Sequence, residues 1–175
     1  RLLAGKEEPD TGTVVWGETI KIGYFAQECE VMDEQQRVID YIRDAAEYIQ
    51  TSDGRISASR MLERFLFSPD MQYAPIAKIS GGERRRLYLL KVLMEAPNVL
   101  ILDEPTNDLD IATLQVLEGF LDNFPGIVIV VSHDRYFLDR ISDRIASFED
   151  GQIRIYEGGY TDYMEKRKQR GDGEE

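Results

Sequence analysis

Apolar residues recur in distinct rhythms along this chain. Between positions 35 and 50, Val38, Ile39, Ile42, Ala45, Ala46 and Ile49 fall at helical spacing, and Thr51-Ser52-Asp53-Gly54 breaks that helix. Residues 58–67 predict another helix, with Met61, Leu62, Phe65 and Leu66 on its apolar side. Ser68-Pro69 and Ala74-Pro75 bound a loop. Ser80 and Glu83 fit the S-x-x-E capping box, so a helix starts there, runs through Leu87, Leu90 and Leu93, and stops by Pro97. A different rhythm follows. Val99 to Leu102 and Ile127 to Val131 are unbroken apolar runs. Between them Leu114, Leu117, Phe120 or Leu121, and Phe124 make an amphipathic helix. Two all-apolar strands joined by a helix predict a βαβ unit with both strands buried in a parallel sheet.

Shorter alternations frame this core. Residues 13–16 and 21–25 read as two strands around Gly17-Glu18-Thr19, a hairpin, with Gln27 just past the second. Ile145 to Phe148 and Gln152 to Tyr156, split by Asp150-Gly151, read as a closing hairpin. Residues 160–170 predict a terminal helix that turns basic, and 171–175 a disordered tail. Arg1-Leu2-Leu3-Ala4-Gly5 reads as the end of a helix whose start is missing, so the sequence is expected to be a piece of something longer.

Composition narrows the class. The 175 residues are 42% apolar and carry a net charge of -12, so one domain with a real core is expected, and the balance does not suggest a nucleic-acid binder. Cys29 is the only cysteine, which excludes an intrachain disulfide and a Cys-based zinc cluster. The longest strongly apolar run is far short of the roughly 20 residues needed to span a bilayer. No secretory signal precedes the fold, and a soluble, cytoplasmic protein is the expectation.

The chemistry concentrates at strand ends. The first apolar strand delivers Asp103 and Glu104 to one spot, followed by the acidic turn Asn107-Asp108-Leu109-Asp110. Phosphoryl transfer to water needs a cation to offset phosphate charge and a group to orient the nucleophile; adjacent carboxylates can supply both. Ser80-Gly81-Gly82-Glu83 offers backbone N–H groups at a helix start, suited to an anion. His133 follows the second strand, at the sheet edge where open α/β sheets place their sites. Taken singly, the acidic pair also fits a solvated turn, the glycines a well-capped helix, and the histidine a structural role. Their order along one chain favours a nucleotide site.

This ordered set resembles the ATP-binding cassette (ABC) ATPases, and in detail the ABC-F family. The resemblance rests on Gln27, Ile79-Ser-Gly-Gly-Glu-Arg-Arg-Arg86, Asp103-Glu-Pro-Thr-Asn-Asp-Leu-Asp110, Ser132-His-Asp-Arg-Tyr-Phe-Leu-Asp139 and Tyr156-Glu-Gly-Gly-Tyr-Thr-Asp-Tyr163. Phe65-Leu-Phe-Ser-Pro69 is similar to the second cassette of the Uup-like branch. The resemblance implies a P-loop NTPase (RecA-like) α/β fold with a parallel-sheet core and an inserted helical signature subdomain. The core would comprise 1–27 and 95–165, the signature subdomain 28–94, and 166–175 a basic-then-acidic tail. It implies ATP and Mg2+ as cofactors, and two cassettes packed head to tail. Glu104 would be the general base, Asp103 the magnesium-associated carboxylate, Gln27 a contact to magnesium and the attacking water, and His133 a contact to the γ-phosphate. Ser80, Gly81, Gly82 and Glu83 would reach ATP held by the partner cassette, and Asn107, Asp108 and Asp110 would report across the interface.

One departure is large. No G-x-x-x-x-G-K-[ST] phosphate loop occurs in these residues. Its strand and loop are expected upstream, so the isolated segment is expected neither to bind ATP tightly nor to hydrolyse it. Two other functions compete. One is a non-catalytic module binding ribosomes, RNA or branched DNA through Arg84, Arg85, Arg86 and the stretch 166–170; those arginines otherwise read as a solvated helix face. The other is the ATPase subunit of a membrane transporter. The compact segment between Gln27 and Ser80 argues against a chromosome-organising ATPase with long coiled coils.

Overall fold

A computed structural model describes residues 1–170. By its contacts the chain divides into two compact units, Arg1–Val131 and the stretch from Ser132 onward, and each is described by itself.

The first unit is built on a three-stranded parallel sheet. Its strands are β1 (Ile22–Phe25), β4 (Val99–Asp103) and β5 (Ile127–Val131), in the order β1-β4-β5. Between β1 and β4 lie α1 (Val38–Ala45), the antiparallel pair β2 (Tyr48–Thr51) and β3 (Gly54–Ser57), then α2 (Ala58–Arg64), α3 (Pro69–Tyr73) and α4 (Gly81–Met94). The helix α5 (Ile111–Asp122) connects β4 to β5, completing the expected βαβ unit.

Asn98 aligns the start of the sheet. It accepts from the Lys21 amide through its side chain and from the Ile127 amide through its carbonyl. Its side-chain nitrogen donates to the Thr19 carbonyl. The chain passes so close that a Cβ on Gly126 would lie 2.2 Å from the Asn98 carbonyl oxygen. Beyond the sheet, α1, α2 and α4 bury Ile39, Ile42, Met61, Leu62, Leu87 and Leu90 in one apolar cluster. Ser57 caps α2, Ser68 caps α3 and Asp110 caps α5, each accepting a backbone N–H of the first turn.

Several expectations need correction. Residues 13–16 form no strand; Val15 is 86% exposed, and among the described residues no strand pairs with the run. The helix expected over 35–50 stops at Ala45, because Ala46 turns extended and the chain enters β2. Ser52-Asp53 is the turn of a hairpin, with Gly54 at φ 100° closing it. Within the loop expected at 68–75, Pro69–Tyr73 is a short helix. Finally, β4 is buried but β5 is not: Ile127 is 61% and Val131 51% exposed. Side chains of a parallel strand are buried where other elements cover both faces of the sheet, and at β5, an end strand among the described residues, that cover is incomplete.

The second unit contains α6 (Arg135–Ile141), the hairpin β6 (Arg144–Glu149) and β7 (Gln152–Glu157), and α7 (Tyr160–Gln169). The hairpin turns at Asp150-Gly151 as expected, both residues having positive φ. Asp139 on α6 accepts from the Thr161 amide and hydroxyl, both at 2.7 Å. A Cβ on Gly159 would meet that Asp139 carboxylate at 2.7 Å, and Gly158 sits at φ 104° against Asp162. The glycine pair is therefore the price of seating α7 on α6. The expected tail at 171–175 lies outside the described residues.

Candidate active site

Strand β4 places the acidic pair. Val99 to Leu102 are buried on both faces of the strand, and Asp103, at its carboxyl end, is half-buried. Tyr24, on the paired strand β1, donates its hydroxyl to Asp103 Oδ2 at 3.0 Å. Burial, then this hydrogen bond, raises the Tyr24 phenol above its ordinary pKa, so it stays a donor. No sequence motif marks Tyr24. Its signal was the strand-period spacing that puts it on the face of Asp103, visible only once β1 is known to pair with β4.

Glu104 is buried, at 5% exposure. Its φ of 49° is left-handed, a conformation that costs a non-glycine residue about 1–3 kcal/mol. The backbone is held there from both sides. The Glu104 amide donates to the Val131 carbonyl at 2.8 Å, and the Glu104 carbonyl accepts from the Asn107 amide at 3.2 Å. A carboxylate fixed by its backbone at a strand end is suited to hold a water in one direction.

The acidic turn then splits in two. Leu109 is buried and anchors it, while Asn107, Asp108 and Asp110 are exposed. Asp110 accepts from the Thr113 amide at 2.7 Å, and this bond holds its carboxyl below the usual carboxylate range.

The helix start at Ser80 forms the full capping box. Ser80 Oγ accepts from the Glu83 amide at 3.2 Å, and Glu83 Oε2 accepts from the Ser80 amide at 2.8 Å. Glu83 is thus engaged with its own helix. Ser80, Gly81 and Gly82 are exposed, and a Cβ on either glycine would meet nothing within 4 Å. Gln27 is exposed beside a cavity of about 540 Å3 walled by Tyr24, Tyr88 and Lys91. His133 is exposed and belongs to the second unit.

Among the described residues no three His, Cys, Asp or Glu side chains gather into a metal cage. Magnesium is characteristically held by one or two carboxylates, waters and substrate phosphates, and the half-buried Asp103 carboxylate is a group of that type.

The arginines after the capping box are not a solvated face. Arg85 and Arg86 are only 4% and 7% exposed, and Arg84 pairs with Glu34 at 3.1 Å. A nucleic-acid surface cannot use the two buried ones.

A parallel sheet with a carboxylate pair at the end of its buried strand β4, and a glycine-rich capped helix start inserted between its strands, is the arrangement of the ATP-binding cassette class of P-loop NTPase. The family model described as ABC transporter matches residues 1–107, and the chain belongs to that family. Relatives agree. The uncharacterized ABC transporter ATP-binding protein YfmR of Bacillus subtilis is 57% identical over 95% of this chain and 27% of its own length. The energy-dependent translational throttle protein EttA of Haemophilus influenzae is 41% identical over 98% of this chain and 31% of its own. The Uup-like ATP-binding protein of the same organism is 38% identical over 95% and 37%. EttA and Uup-like proteins are the ABC-F relatives that the sequence motifs resemble. The chain thus spans about a third or less of EttA and YfmR. Among solved structures, an RNase-L inhibitor superposes with a TM-score of 0.70 at 23% identity, over 97% of this chain and 34% of the other. A dimeric post-hydrolysis ATP-binding cassette bound to ADP and phosphate gives 0.56 at 21%, over 79% of this chain and 63% of the other. Both show the cassette fold. No described helix is long and apolar enough to cross a membrane.

Proposed function

We propose that this chain is the hydrolytic part of an ATPase cassette in a cytoplasmic ABC-F protein, coupling ATP hydrolysis to work on a ribosome or nucleic acid. The observation that carries the reading is Glu104, buried at the carboxyl end of β4 with its backbone fixed in a left-handed conformation. In that role Glu104 accepts the proton of the attacking water. Asp103, oriented by Tyr24, and Gln27 hold Mg2+, which offsets phosphate charge when bound. His133 contacts the γ-phosphate. Residues 1–27 and 95–165 carry the hydrolytic motifs, and 28–94 the signature. Ser80, Gly81 and Gly82 meet ATP held by a second cassette, their exposure at a capped helix start being what such a contact requires.

The phosphate loop comes from residues outside these 175, on a strand that pairs with the open edge of β5. That pairing supplies the cover β5 lacks here. The segment alone neither binds ATP tightly nor turns it over. The name of EttA, and the structure of an archaeal ribosome recycling factor with a ribosomal stalk protein (TM-score 0.66), favour a ribosomal partner over a membrane one.

The test is Glu104→Gln in the whole protein. The expected result is a loss of ATP turnover of about 10²–10⁴-fold with ATP binding retained. Turnover at the wild-type rate refutes the assignment of the base.

A further inference from the structure

Arg85 and Arg86 lie on α4, one turn past the capping box, and the proposed chemistry leaves them without a task. Both guanidinium groups reach across to the acidic turn after β4. Arg85 Nε lies 3.7 Å from Asp108 Oδ2, and Arg86 Nη1 lies 3.5 Å from Asp110 Oδ2. Each stacks on an aromatic ring, Arg85 on Phe25 at 3.9 Å and Arg86 on Phe67 at 4.7 Å. Arg86 Nη2 also reaches the Leu66 carbonyl at 3.5 Å.

The energetics are unusual for a structural contact. All three guanidinium nitrogens of Arg85, and Nε of Arg86, are buried without a hydrogen-bond partner. Burial lowers the Arg85 pKa, and Asp108 opposes that effect. A buried guanidinium that makes no direct hydrogen bond adds little stability over an apolar side chain of similar volume. The opposing carboxylates are more than half exposed, so neither pair is held by a dry cage. What two such groups do provide is direction. They link the helix that starts at Ser80-Gly81-Gly82 to the turn that follows Glu104, at two points and through the ring of Phe25 on β1.

We propose that Arg85 and Arg86 are positioning residues that tie the turn Asp108–Asp110 to helix α4, so that nucleotide contact at Gly81-Gly82 sets the placement of Glu104. This rests on the ATPase reading above and adds to it the link between two ATP sites: the one touched by the helix start and the one served by Glu104. Closure on nucleotide shortens the gaps of 3.5–3.7 Å into direct charge-assisted hydrogen bonds.

The test uses steady-state ATP hydrolysis by the whole protein. Arg85→Met keeps volume and removes charge; Asp108→Asn alters an exposed partner and leaves the fold intact. Each is expected to lower kcat about tenfold, the scale of a reacting group displaced by a fraction of an ångström, with KM within about twofold. Because both break one interaction, the double variant should be no slower than the worse single one. Arg85→Met should keep the thermal midpoint. Wild-type kcat in Asp108→Asn, losses that multiply in the double variant, or a kcat loss that tracks a fallen midpoint each overturn the proposal. Glu104→Gln run alongside separates the two readings. If it abolishes turnover while Asp108→Asn has no effect, only the positioning role fails. If it leaves turnover intact, the assignment of Glu104 as the base fails, and with it the proposed function loses its carrying observation.

Discussion

β4 and β5 are near twins in sequence and opposites in structure. Val99-Leu-Ile-Leu102 and Ile127-Val-Ile-Val-Val131 are both unbroken apolar runs, paired in parallel and in register. Yet Leu100 and Leu102 are fully buried, while both ends of β5 are more than half exposed. The difference is position. Among the described residues β4 has β1 on one edge and β5 on the other, whereas β5 has a partner on one side only. An all-apolar strand at an open edge is an unstable arrangement, prone to pairing with another strand. Apolar pattern reports where a strand belongs in the working protein, and burial reports what is present to cover it.

The largest effect that tests this contrast is in the core. Leu102→Ala in residues 1–175 should cost about 2–5 kcal/mol by urea unfolding. Ile127→Ala should cost no more than about 0.5 kcal/mol, as an exposed site does. Equal losses would mean that β5 is as covered as β4. In the whole protein the cost of Ile127→Ala should rise if the proposed phosphate-loop strand closes that edge.

A smaller effect concerns the turn between the two strands. Asp110→Ala removes the cap of α5 and should cost about 1 kcal/mol, whereas Asp110→Asn, an equally good cap, should cost almost nothing at neutral pH. The folded Asp110 pKa is lowered, so its contribution is present above the ordinary carboxylate pKa and is lost as pH falls through the folded value. Asp110→Asn should therefore flatten part of the acid limb of the stability profile. An unchanged limb would show that the Thr113 bond does not persist in solution.

Legibility followed the range of the forces. The capping box at Ser80, the βαβ unit and the hairpin at Asp150-Gly151 depend on neighbours close in sequence or on long apolar runs, and all three appear where expected. Ile49 fits helical and strand periods equally, and only its pairing with Ile56 decides, so the sequence predicts a helix and a break where the hairpin β2–β3 forms. A charge run and overall acidity predict a solvated face for Arg85 and Arg86, because they say nothing of Phe25, Phe67 or the turn at Asp108–Asp110, which only the fold brings to them. At the site, the acidic pair and the glycine-rich helix start were visible as motifs. The left-handed backbone of Glu104 and the Tyr24 hydroxyl on Asp103 were not, since both depend on strand partners.

The open edge of β5 bears most directly on the claim that a phosphate-loop strand completes this sheet. The Ile127 amide bonds toward β4, to the Asn98 carbonyl, and by the alternation of a strand the Val128 and Val130 amides face the open edge. Hydrogen exchange at those two amides should be fast in residues 1–175 and strongly protected in the whole protein. Fast exchange in both would contradict the pairing, and with it the placement of the phosphate loop beside Asp103 and Glu104.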